Sequence, residues 1–148
     1  MVRDSTRQAI VNLDSSQPSQ YQFAQKSSTV RKARQILAVE DRSFVLVKDT
    51  NELIAWGGNE KGQLGLGHYQ NVETPTKMEF FSKIGQTVNS ISGGGDLTLA
   101  STDTGDSYAW PFVKSGQKYS IPVRMPFSDK IKVTRVSCGH NFGFFISS

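Results

Sequence analysis

The chain has 148 residues, 36% of them hydrophobic and 20% charged, with a formal net charge of +4. That balance excludes a disordered polyelectrolyte, and no apolar run approaches the ~20 residues a membrane-spanning helix needs. One cysteine, Cys138, excludes an internal disulfide framework and fits a reducing compartment.

The charge is unevenly placed. Residues 1–34 hold six basic and two acidic residues, whereas residues 35–148 hold eleven of each. All 13 glycines lie at position 57 or later. A boundary is therefore read near Arg34, with residues 1–34 as a basic, Ser/Gln-rich arm and linker and residues 35–148 as a separately folded unit. Within the arm, residues 9–13 read as a strand and residues 15–28 as a linker. The basic residues are too sparse for a nucleic-acid patch and read as a solvated tether. The start, Met1-Val2-Arg3-Asp4, lacks the apolar stretch of a secretory signal. An intracellular, cytoplasmic protein is expected, with a cytoskeletal, ciliary or nuclear setting as alternatives.

From residue 35 the pattern is that of an antiparallel meander, with short runs of β-branched and aromatic residues split by turn residues. Strands are predicted over 36–39, 44–48, 53–56, 78–81, 88–92, 97–101, 107–110, 123–127, 133–138 and 142–146, with 80–84 as the one candidate helical turn. The second and third strands flank the turn Asp49-Thr50-Asn51-Glu52. Next comes Ala55-Trp56-Gly57-Gly58-Asn59-Glu60-Lys61-Gly62-Gln63-Leu64-Gly65-Leu66-Gly67, with five glycines in its last eleven residues. Glycine adopts positive φ freely, so this stretch reads as a loop of fixed shape pinned by its leucines.

The pattern recurs. A shift of 54 places Asp49-Thr50-Asn51-Glu52 on Asp103-Thr104-Gly105-Asp106, Ala55-Trp56 on Ala109-Trp110 and Gly62-Gln63 on Gly116-Gln117. Asn51 and Gly105 share a slot, and Asn and Gly best tolerate the left-handed conformation such a turn needs. Pro75-Thr76-Lys77-Met78 matches Pro122-Val123-Arg124-Met125 at a shift of only 47, which makes the second loop seven residues shorter. A third partial copy matches Ile91-Ser92-Gly93-Gly94 with Val136-Ser137-Cys138-Gly139 at a shift of 45. The period is about fifty residues.

These motifs resemble the repeat of the RCC1 (regulator of chromosome condensation) family, over residues 34–148. The resemblance implies an all-β fold, an RCC1-like β-propeller with two to three four-stranded antiparallel blades out of seven. Its scaffold positions fall on Trp56, Gly57, Gly62, Gln63, Gly65, Gly94, Trp110, Gly116 and Gly139. Glu40 stands where the pattern wants the glycine seen at Gly94 and Gly139, and Pro111 replaces the glycine after Trp110, which suggests a divergent member. Each tryptophan is expected to fill the space between adjacent blades, with its N–H on a carbonyl. Seven blades need about 350 residues, so an amino-terminal part of a longer protein is expected, its remaining blades coming from the same or another chain.

Chemistry is sparse. Cys138-Gly139-His140 places a thiol near an imidazole with no acid to orient it, and reads as a small core residue beside a surface histidine. The glycine loop lacks the strand, spacing and helix of a dinucleotide site. Two histidines and one cysteine give no zinc spacing. No catalytic residue, cofactor or metal is assigned. Two functional classes remain: a non-catalytic protein-interaction scaffold, and, by resemblance, guanine-nucleotide exchange on a small Ran-type GTPase or chromatin binding. Partners are expected to be proteins, not nucleic acid or membrane. The contact candidates are Glu60, Lys61, His68 and Tyr69, in the longer loop over 57–71, with 112–120 as the shorter second loop.

Overall fold

The computed structural model describes residues 32–148. The strand at 9–13, the linker at 15–28 and the start of the basic tether lie outside the described residues. The first sheet is a meander of β1 (Ala33–Val39), β2 (Arg42–Val47), β3 (Leu53–Gly57) and β4 (Val72–Met78), paired in that order. A short helix, α1 (Phe80–Lys83), leads to β5 (Val88–Gly94), β6 (Leu97–Thr102) and β7 (Ser107–Trp110). A separate hairpin, β8 (Phe112–Lys114) and β9 (Gln117–Tyr119), precedes β10 (Val123–Arg124), which pairs with β7 and completes the second four-stranded sheet. A 3₁₀ turn (Pro126–Asp129) leads to β11 (Val133–Cys138) and β12 (Gly143–Ser147), a two-stranded third sheet.

The two predicted turns close as expected. Asn51 N–H donates to Val47 O at 2.9 Å and Gly105 N–H to Thr102 O at 3.0 Å, with φ of 52° and 82° at Asn51 and Gly105. Two predicted strands move. The strand placed at 78–81 lies earlier, as β4, and Phe80–Lys83 is helical. The strand placed at 123–127 ends at Arg124, because Pro126 supplies no N–H to a ladder and opens the 3₁₀ turn. The alignment at Glu40 also shifts by one. Val39 pairs with Arg42 as Gly94 pairs with Leu97, so Glu40 (φ 50°) takes the place of Gly95 (φ 50°), not of Gly94.

The sheets pack face to face. Phe44, Leu46, Leu53, Ala55 and Met78 of the first sheet meet Val88, Ile91, Ala100, Tyr108 and Trp110 of the second in one buried core. A second core joins Leu99, Ala109 and Met125 to Val133 and Val136. Trp110 is fully buried in the first seam, edge-on to Phe44 with ring centroids 6.3 Å apart. Its N–H finds no partner, contrary to expectation. Gly65 lies against that edge of the indole, where a Cβ would stand 2.8 Å from both Cδ1 and Nε1. Trp56 is likewise buried but lies on the face of its sheet away from the second one, with Val45 and Val47.

The inner strands β1, β5 and β11 stitch the sheets together by polar contacts. The Gln35 carboxamide donates to Ile91 O at 2.6 Å and accepts from Ile91 N–H at 3.2 Å. Ser90 Oγ accepts from Val136 N–H at 3.4 Å and Ser92 Oγ from Cys138 N–H at 2.9 Å. Arg42, 1% exposed, crosses the first seam and donates to Gly95 O at 2.6 Å.

Candidate functional site

The glycine loop, residues 57–71, is built around one buried side chain, Asn59. Its Nδ2 donates to His68 O at 2.9 Å and Gln70 O at 3.0 Å, its Oδ1 accepts from Leu64 N–H at 2.9 Å, and its own N–H donates to Asn71 Oδ1 at 2.7 Å. One asparagine thus ties both arms of the loop together, satisfying backbone groups that a loop otherwise leaves to water. Gln63, also buried, accepts from Lys61 N–H at 2.8 Å, and Leu64 plugs the core between the first two sheets. Gly62 and Gly65, at φ 82° and 70°, make the chain reversals that let those side chains point inward.

Four residues remain outside this scaffold: Glu60, Lys61, His68 and Tyr69 are all exposed. The structure brings the four candidates together at one corner. His68 is bound through its carbonyl to Asn59, beside Glu60, and the ring of Tyr69 passes 3.2 Å from where a Cβ on Gly62 would stand. His68 Nδ1 accepts from Gln70 N–H at 3.2 Å, which leaves Nε2 as the protonated nitrogen of the neutral ring. Lys61 Nζ pairs with Asp96 Oδ2 at 2.6 Å across the seam. That hydrogen bond pushes the lysine pKa up, so the ammonium stays charged. The acidic turn residues Glu40 and Asp41 act on Lys61 in the same direction.

The scaffold glycines differ in role. A Cβ on Gly94 would collide with Gly139 O, so these two pack backbone to backbone where the second and third sheets meet. Gly57 likewise touches the Asp41 carbonyl. Gly116 lies at the exposed tip of the β8–β9 hairpin with nothing near it, and Gln117 is exposed where Gln63 is buried. The second loop is therefore a projecting hairpin and not a copy of the first. Cys138 donates its thiol to Ser92 O at 3.5 Å, and burial pushes its pKa up, while His140 lies 4.0 Å from Glu40.

Sequence reasoning missed the polar hub beyond the loop. Arg124 donates to Asp106 Oδ1 and Asp129 Oδ1, each at 2.8 Å, while Gln86 and Thr104 donate to Asp106 Oδ2 at 2.8 and 3.1 Å. The hydrogen bond from Arg124 holds the Asp106 carboxyl below its ordinary range. The sequence signal was the match of Asp106 to Glu52, whose carboxylate pairs with Lys77 of β4 at 2.9 Å.

Four-stranded antiparallel sheets that stack through their inner strands, each sending a shaped loop or hairpin outward, are propeller blades. The chain is therefore a β-propeller repeat protein. Residues 51–101 match the Regulator of chromosome condensation (RCC1) repeat. The ultraviolet-B receptor UVR8 of Arabidopsis thaliana is 32% identical over 120 residues, covering 76% of this chain and 27% of that protein. The secretion-regulating guanine nucleotide exchange factor of Mus musculus is 42% identical over 65 residues, covering 44% of this chain and 14% of that protein. The crystal structure of human WBSCR16 superposes with a TM-score of 0.71 at 26% identity, covering 82% of this chain and 32% of that one. This chain is an RCC1-like repeat protein, and it spans about a quarter or less of the length of these two sequence relatives.

Proposed function

We propose that the chain acts without catalysis as part of a protein-docking propeller in which the loop corner of Glu60, Lys61, His68 and Tyr69 meets the partner. One observation carries this reading: four exposed side chains are mounted on a loop whose interior is fixed by Asn59 and Leu64, so contact costs little ordering entropy. Further blades from the same or another chain complete the ring. The apolar face of the third sheet supports this, with Phe144 and Ile146 60% and 49% exposed. The setting is intracellular, with the cytoplasm first and the nucleus second.

A second reading is nucleotide exchange on a small GTPase, favoured by the name of the mouse relative and by the acidic residues Glu40, Asp41 and Asp96 near Lys61. The test captures partners on the full-length chain and on a Tyr69→Ala, His68→Ala variant, beside a nucleotide-release assay on a Ran-type GTPase. Docking predicts a specific partner lost from the variant and no accelerated release. Release accelerated by the full-length chain and abolished by Asp96→Asn would replace docking with exchange.

A further inference from the structure

The three inner strands share an irregularity at one station. The ladder of β1 skips a residue between Ala33 and Gln35, that of β5 between Val88 and Ser90, and that of β11 between Val133 and Arg135. The extra residues are Arg34, Asn89 and Thr134. A bulge frees one residue from the ladder and re-aims its side chain. All three line a single cleft of about 450 Å³, which Gln35, Ser90 and Arg135 complete.

The lining is rich in donors and has no carboxylate. Arg135 has no hydrogen-bond or ion-pair partner among the described residues, and Arg34 is engaged only by Asn51 Oδ1, at 3.1 Å. The Asn89 carboxamide has no partner among the described residues. Ser90 Oγ uses a lone pair on Val136 N–H, which leaves its hydroxyl hydrogen free. Elsewhere the described arginines find acceptors, as Arg124 does on two carboxylates and Arg42 on two carbonyls. Two guanidiniums that share a cleft with neutral donors and no acid are matched by a dianion with several acceptor oxygens.

We propose that this bulge-lined cleft binds a phosphate group, gripped by Arg34 and Arg135 with Asn89 and Ser90 as neutral donors. A carboxylate carries one charge and two oxygens, so it leaves one guanidinium uncompensated. Phosphate therefore outcompetes acetate. The blades thereby acquire a ligand-responsive contact at the opposite ends of the inner strands from the Glu40 and Asp96 turns.

The experiment titrates inorganic phosphate, and in parallel acetate, into the full chain at constant ionic strength and follows backbone amide resonances. Saturable shifts at Asn89 and Arg135 are expected with phosphate. Arg34→Gln and Arg135→Gln should each weaken binding by about tenfold or more, whereas Lys118→Gln on the distant hairpin should change nothing. Should Arg34→Gln not fold, Arg135→Gln carries the test, because its side chain holds no structural partner among the described residues. Shifts that grow without saturating, equal weakening by Lys118→Gln, or acetate binding as tightly as phosphate would each overturn the proposal.

Discussion

Trp56 stands opposite Ser43, and Trp110 opposite Thr98, at the same station of successive sheets; the Trp110 indole points toward the first sheet, and that of Trp56 to the face away from the second. Their neighbours Ala55 and Ala109 point the other way, into the following seam. Each seam thus sets one small residue of the earlier sheet among larger ones: Ala55 lies with Phe44, Tyr108 and Trp110 in the first, and Ala109 with Leu99, Met125, Val133 and Val136 in the second.

That arrangement makes Gly65 a packing residue for Trp110. Gly65→Ala combines a φ of 70° with a methyl group 2.8 Å from the indole edge. It should lower stability by roughly 2–4 kcal/mol in urea denaturation. Gly67→Ala, also at positive φ but with only an ordinary contact of 3.6 Å to Ile121 Cγ2, should cost only about 1 kcal/mol. Equal losses at the two sites would show that backbone strain alone decides.

The paired turns give a second test. Gly105→Val places a β-branched residue at φ 82° and should cost on the order of 1–3 kcal/mol. Asn51→Gly keeps the left-handed slot and loses only an exposed bond to Arg34, so it should change stability by about 1 kcal/mol or less. Thermal melts of both variants settle the comparison, and a neutral Gly105→Val would dissolve the equivalence of the turns.

The Asp106 hub predicts an acid response. The folded carboxyl lies below its unfolded value, chiefly through the hydrogen bond from Arg124. Its stabilisation is therefore complete above the ordinary aspartate value of about 3.9 and is lost as pH falls through the folded value. Asp106→Asn should be less stable at pH 7 by roughly 1–3 kcal/mol, and its stability should change less than that of the wild type below about pH 4. Denaturation curves at pH 7 and pH 3 check both, and parallel acid losses in the two proteins would assign the response to other carboxylates.

Much of this was legible because each local signal served the buried core. The strands at 107–110 and 133–138 lie where alternation put them, and the turn at 103–106 was marked by Gly105. β4 was missed because VETPTKM is an outer strand with one face in water, so it needs little apolar content and tolerates Pro75. Trp56 and Trp110 were identified as buried, but which seam each fills depends on the pleat of β3 and β7 and not on spacing. The corner of Glu60, Lys61, His68 and Tyr69 was readable as one loop. Its closure by Asn59 was not, since an asparagine whose side chain holds three backbone groups looks in sequence like any other turn residue. The bulge-lined cleft draws on three strands about fifty residues apart, and no local pattern announces it.

The Gln35 carboxamide meets both the N–H and the C=O of Ile91, as a peptide group on a neighbouring strand would. The inward edge of β5 is thus capped by a side chain that imitates backbone, and Ser90 and Ser92 do the same for two N–H groups of β11. An exposed strand edge invites another chain to extend the sheet, the route to aggregation and domain swapping. Between the described sheets that invitation is withdrawn: β5 and β11 meet their neighbours with edges already occupied in part by side chains, while the outer edge of the first sheet is blunted by Pro75 of β4.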